Sequence, residues 1–158
     1  MKTQYLEQLE RIKRLMKKLA LYAEITDTNY AEAVDEFTSY FIQCYHLRDW
    51  LIRSGFSQSS VDDLIKSSKH LSLCRDLANK QKHHTIDRYV PKNSFVDLGR
   101  NTPITRFADH FDHGKIKLGI DIWEYGQPIE ALSVAHHCLE EWSSFLEKQK
   151  NIGSKDKN

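Results

Sequence analysis

Residues 37–51 read FTSYFIQCYHLRDWL, and this stretch decides the fold. Phe37, Phe41, Cys44, Leu47 and Leu51 are spaced four, three, three and four apart, which keeps them on one face of an α-helix. Tyr40, Tyr45 and Trp50 widen that stripe. Large rings dominate core burial. A helix this aromatic is therefore expected at the centre of a bundle, with its rings in the core rather than serving as a platform for stacked bases. The pattern predicts a helix from about Tyr30 to Arg53 that stops at Ser54-Gly55, where Gly can take the left-handed conformation beyond a helix C-terminus.

On the N-terminal side, residues 3–25 predict a charged amphipathic helix. Leu6, Leu9, Ile12, Leu15, Met16, Leu19 and Tyr22 trace its apolar face. The run Lys13, Arg14, Lys17, Lys18 could touch phosphates, but a solvated helix face is the simpler expectation. Thr26-Asp27-Thr28-Asn29 then interrupts the pattern with N-cap residue types.

On the C-terminal side, Ser60-Val61-Asp62-Asp63 fits a capping box opening a short helix. A kink is expected near Ser67-Ser68, with helix resuming from Leu71 to about His84. Residues 85–126 lose the helical period. Ile116, Leu118, Ile120 and Ile122 alternate with Lys117, Gly119 and Asp121, the period of a half-buried strand. With Phe107 and Phe111 upstream and a turn at Asp112-His113-Gly114-Lys115, this predicts an antiparallel hairpin pairing about 104–111 with 115–125. The last helix is expected to open at Gln127-Pro128, since Pro suits a first helical turn.

The expected fold class is mainly α, a four- to five-helix bundle with one inserted antiparallel β-hairpin. A chain of 158 residues supports one such domain. Residues 1–150 are expected to form it, with the hairpin at about 104–125, and residues 151–158 to form a flexible tail. Six Gly and three Pro are too few for a turn-dense β-sandwich, and 40% hydrophobic with 28% charged residues is globular composition. Lys and Arg at 23 against Asp and Glu at 22 give a net charge of +1, so attraction to nucleic acid must come from a local patch. No stretch approaches the roughly 18 apolar residues of a membrane span. No leader is recognisable at the N-terminus, and a cytoplasmic protein with no membrane partner is expected. Cys44, Cys74 and Cys138 cannot all pair within the chain and lack CxxC spacing, which fits a reducing compartment.

The densest polar constellation lies in residues 71–84, LSLCRDLANKQKHH. At about 100° per residue, Arg75, Asn79, Lys82 and His83 share one helix face, opposite Leu73, Cys74, Leu77 and Ala78. Arg offers a planar fork to phosphate oxygens. His titrates near neutral pH and can move a proton. Asn79 can hold the imidazole or a ribose hydroxyl, and Lys82 adds a point charge. The simpler expectation is a solvated helix end whose cations complement the dipole. Arg48, with His46 and Asp49, offers a second polar group that could meet this face from the neighbouring helix.

Other chemistries have weaker support. Asp109-His110-Phe111-Asp112-His113 and His136-His137 supply carboxylates and imidazoles. On a strand, however, His110 and His113 point to opposite faces, and no metal-ligand spacing accompanies them. No metal and no cofactor is expected. Cys44 and Cys74 lie on apolar faces, where a thiol behaves as a small hydrophobe. GxSxG, P-loop and GxGxxG motifs are absent from the sequence.

Three segments carry a resemblance: FIQCYHLRDWL at 41–51, LSLCRDLANKQKH at 71–83, and Cys138-Leu139 with Trp142 and Phe145. Together they resemble a widespread set of short bacterial helical proteins, a likeness that implies no particular activity. More distantly, Arg75-Asp76 followed by His83 is similar to the signature of HEPN domains, small helical bundles that often dimerise. Seven residues separate Arg75 from His83, slightly more than the usual spacing. Many HEPN members are metal-independent ribonucleases of toxin–antitoxin and phage-defence systems. The likeness implies RNA or a nucleotide as substrate, Arg75 and His83 as catalytic residues and Asn79 as the residue that orients the partners; the shared helix face and the neighbouring helix add Asn79, Lys82 and Arg48 as expected substrate-binding residues. The likeness also implies a homodimer and a cognate antitoxin or defence partner. The alternative expectation is a non-catalytic helical interaction or structural protein.

Overall fold

The aromatic stripe folds as its spacing requires. Helix α2 spans Tyr30–Arg53 and buries Ala33, Phe37, Tyr40, Phe41, Cys44, Leu47 and Leu51. The computed structural model describes residues 4–22, 29–83, 96–100, 111–112, 115–116 and 120–155. For 81–83, 96–100, 111–112, 115–116 and 154–155 it describes the backbone alone. Five helices carry the fold: α1 (Gln4–Leu19), α2, α3 (Gln58–Ser67), α4 (Lys69–His83) and α5 (Ala131–Lys155). Helix α2 packs against the other four and so occupies the centre of the bundle.

The end of α2 is set by Gly55, whose φ of 94° only Gly adopts without strain. Gly55 N–H donates to Ile52 O (3.0 Å) and Phe56 N–H to Leu51 O (3.1 Å), the paired bonds of a Schellman motif. The turn thereby delivers Phe56 onto Tyr5 of α1, edge to face at 5.2 Å, and towards Phe145 of α5 at 6.3 Å. Helix α1 buries Leu9, Ile12, Met16 and Leu19, whereas Leu6 stays 39% exposed. Gln8 is buried as well, because its amide donates to Gln43 O of α2 at 2.8 Å. The α-helix ends at Leu19 and tightens into a 3₁₀ turn over Ala20–Tyr22; the expected continuation to residue 25 falls outside the described residues.

Helix α3 starts earlier than the capping box at Ser60 predicts. Its N-cap is Ser57, in extended conformation, with Oγ accepting from Ser60 N–H. The break at Ser67-Ser68 is as expected. Ser68 leaves the helical region, and its Oγ accepts from Leu71 N–H at 2.9 Å, which starts α4.

The β structure includes a hairpin at the expected place and adds a sheet; residues 104–110 of the expected first strand lie outside the described residues. Strands β2 (Phe111–Asp112) and β3 (Lys115–Ile116) form the antiparallel hairpin, Phe111 opposite Ile116. Strand β4 (Ile120–Glu124) does not continue that hairpin. It lies between β1 (Val96–Arg100) and β5 (Gln127–Glu130) in a three-stranded antiparallel sheet. Leu98 faces Ile122 across one ladder and Ile129 faces it across the other. Gln127-Pro128 is therefore strand, not the start of the last helix. Tyr125 and Gly126, with φ of 49° and 74°, form the two-residue turn between β4 and β5. Pro128 sits on the edge strand opposite Trp123, one pair beyond the turn, where its missing N–H costs no ladder bond.

Asp121, placed on a solvent face by the alternation, is instead fully buried, as are its neighbours Ile120 and Ile122 on the middle strand of the sheet. Helix α5 runs on to Lys155, past residue 151. The core joins α1 to α5 with β4 through Ile12, Phe37, Phe41, Leu47, Leu71, Ile122 and Trp142. Among the described residues, no helix is long and apolar enough to cross a membrane.

Candidate functional site

Helix α4 carries the constellation singled out in the sequence. Leu71, Leu73, Cys74, Leu77 and Ala78 are buried, while Arg75 and Asn79 are half-buried. The helix continues unbroken to His83. Eight residues at helical rise and twist place Arg75 and His83 about 12 Å apart along the axis and about 80° apart around it. The side chains of Lys82 and His83 lie outside the described residues, as do His110 and His113.

Arg75 has a defined anchor. Its Nε donates to Asp76 Oδ1 at 3.0 Å, and Asp76 is itself buried at 6% exposure. A buried carboxylate needs a cation or donors, and one edge of the Arg75 guanidinium supplies this while the residue stays half-buried. Arg48 is committed differently. Its Nε and NH2 fork onto both oxygens of Asp62 in α3, at 2.6 and 3.1 Å, and its NH1 donates to Asp49 at 3.0 Å. All three guanidinium nitrogens thus have carboxylate partners, so the residue expected to bind substrate ties α2 to α3. Asp62 is held below the usual carboxylate range by the Arg48 hydrogen bonds.

Tyr45 relates the two arginines. Burial pushes its phenol up, and Arg48 and then Arg75 pull it back down. Both guanidinium charges therefore act on one half-buried ring. His46 is exposed. Two of the four cations of the basic run on α1 are paired: Lys13 with Glu10 and Lys18 with Glu36 of α2.

Helix α4 meets α5 through a second polar group that spacing alone did not suggest. His70 Nδ1 lies 2.8 Å from Glu141 Oε1, and the rings of His70 and His137 stack at 4.3 Å. His137 Nδ1 donates to Ser133 O at 2.7 Å, which fixes that nitrogen as the protonated one in the neutral ring. His136 and His137 are both exposed on α5.

The three cysteines also meet, although they lie far apart along the chain. Cys44 of α2, Cys74 of α4 and Cys138 of α5 place their Sγ atoms within 4.8 Å of one another, each at 0% exposure. Cys74 Sγ donates to Phe41 O at 3.2 Å, and burial pushes its thiol up. Cys138 is pushed up as well, by its hydrogen bond to Cys44. Cys44 moves the opposite way, held low first by donation from Cys138. Since Cys74 spends its S–H on Phe41 O, Cys138 is the donor left for the Cys44 sulfur. The Tyr40 hydroxyl beside it gives its single proton to Ala135 O at 2.7 Å. The only advance signal was that each cysteine lies on the apolar face of its own helix. Comparison of the chain with protein-family models, with curated proteins and with solved structures finds no match.

Proposed function

We propose that this chain is a HEPN-like protein acting on RNA or a nucleotide, as a cytoplasmic, metal-independent ribonuclease of a toxin or phage-defence system. The observation that carries this is the unbroken course of α4 from Arg75 to His83, with the Arg75 guanidinium oriented by a buried Asp76. Preorganised cations aimed at developing charge are the largest common source of catalysis. In the proposed reaction the ribose 2′-oxygen bonds to the adjacent phosphorus while the bond to the 5′-oxygen breaks. His83 accepts the 2′ proton and returns a proton to the leaving 5′-oxygen. Arg75 neutralises the crowded phosphorane oxygens. Asn79 orients the ribose, and Lys82 holds a neighbouring phosphate. Two such helices facing across a homodimer would build the cleft.

The test is incubation of the full chain with varied RNAs in the presence of a chelator, with cleavage read on gels. Wild type cuts, and Arg75→Ala and His83→Ala each lose about 100-fold or more in rate. Absence of cutting by the wild type, or undiminished cutting by both variants, contradicts the proposal.

A second reading, a non-catalytic helical interaction protein, is favoured by one feature: Arg48 is neutralised by Asp62 and Asp49 rather than offered to a ligand. It predicts that Arg75→Ala changes stability but no activity on RNA.

A further inference from the structure

Three cysteines enclosed in one core can each be packing residues, since a thiol fills space like a small hydrophobe. Two features here ask for more. The sulfurs converge from three separate helices to within 4.8 Å. A metal–thiolate bond of about 2.3 Å requires sulfurs about 4 Å apart around a three-coordinate ion, so small side-chain rotations bring all three into range. In addition, the indole Nε1 of Trp142 is fully buried and has no hydrogen-bond partner, although Trp142 is one of the groups acting on Cys44. A neutral thiol is a poor acceptor for that N–H, whereas a metal-held thiolate is a strong one.

We propose that Cys44, Cys74 and Cys138 form a buried site for a single thiophilic cation, and that the cation is Cu(I). The donor set selects the ion. Among the described residues these three form the only group of three or more side chains whose ligand atoms are placed to share a metal ion, and the neighbouring Tyr40 hydroxyl is directed at Ala135 O. Structural Zn(II) is almost always four-coordinate, whereas soft sulfur ligands in a three-fold set suit Cu(I). On binding, each thiol that becomes a ligand releases its proton to solvent, and the Cys74 bond to Phe41 O is exchanged for one to the metal. Trp142 N–H then donates to the Cys44 sulfur and offsets part of the negative charge left on the cluster. This site is independent of the ribonuclease proposal: Cys74 is buried, whereas Arg75 is half-exposed.

The experiment uses the full, reduced chain under anaerobic conditions, with Cu(I) supplied as its glutathione complex and Zn(II) in a parallel arm. One Cu(I) is retained per chain, the thermal midpoint rises, and X-ray absorption of the loaded wild type shows a shell of three sulfurs. Cys44→Ala, Cys74→Ala and Cys138→Ala each abolish retention while keeping helical circular dichroism. Trp142→Phe weakens Cu(I) affinity about 10- to 100-fold. Failure of the wild type to retain Cu(I), a nitrogen or oxygen in the shell, or retention that survives Cys138→Ala overturns the site. Zn(II) held against glutathione better than Cu(I) overturns the choice of ion. Because the sulfur count is read on the wild type, an alanine variant that does not fold leaves the test decisive.

Discussion

A single ion pair shows how this bundle spends its charges. Arg48 and Asp62 meet through two hydrogen bonds and stay partly open to solvent, with 22% and 28% of their side chains exposed. Solvent screening holds such a pair to about 1 kcal/mol or less, and Asp62→Asn is expected to cost no more than that in urea unfolding. The pH dependence follows from the direction of the Asp62 shift. Its pKa is lowered in the folded chain by Arg48, so the carboxylate binds protons more readily once unfolded. The pair's contribution is complete above the unfolded carboxylate value of about 4 and disappears as pH falls through the lower folded value. Stability curves of wild type and Asp62→Asn are therefore expected to be offset at neutral pH and to converge in acid. Tyr40→Phe tests a drier contact. It removes the donor to Ala135 O in the core, leaving a buried carbonyl one bond short, and is expected to cost about 1–3 kcal/mol by the same measurement.

Among the elements, turns and caps decide where helices stop. Ser68 accepts from Leu71 N–H as α4 begins, and Ser68→Ala is expected to destabilise by about 1 kcal/mol in thermal or urea melts. Gly55 ends α2 at a positive φ with open space where a Cβ would lie, so Gly55→Ala costs about 1 kcal/mol from backbone strain alone. These caps also explain what could be read in advance. The helices were legible because Phe37, Phe41, Cys44, Leu47 and Leu51 repeat a period that nothing but a helix satisfies, and because Gly55 follows them. The sheet was not. Val96–Arg100 offers only Val96 and Leu98 as an alternating pair, and its partner β4 lies beyond a long connection that contains Pro103. Tyr125-Gly126 is a hairpin turn only once β4 has a strand on its far side, and Pro128 fits a helix start as well as a sheet edge. The helical face bearing Arg75 and Asn79 was visible from spacing. The neutralisation of Arg48 and the meeting of three cysteines depend on contacts between helices, which no local pattern encodes.

For the whole molecule, α2 is the shared wall against which the other helices pack. Leu47, fully buried on it, belongs to the same core cluster as residues of α1, α3, α4, α5 and β4. Leu47→Ala is expected to cost about 2–5 kcal/mol, lowering the urea midpoint in one cooperative transition without changing its slope. The same architecture turns the polar face of α4 away from the core. Helix α4 buries Leu71, Cys74 and Leu77 against α2, which leaves Arg75 at the margin of the core and the helix running on to His83. In the proposed reaction Arg75 and His83 serve one phosphate. The most direct measurement is the His83 ring signal in NMR spectra of isotope-labelled chain, titrated with a short RNA whose cleavage site carries a 2′-deoxy ribose. A saturating shift of the His83 resonance, lost in Arg75→Ala, is the predicted result; a His83 signal indifferent to the oligonucleotide contradicts it.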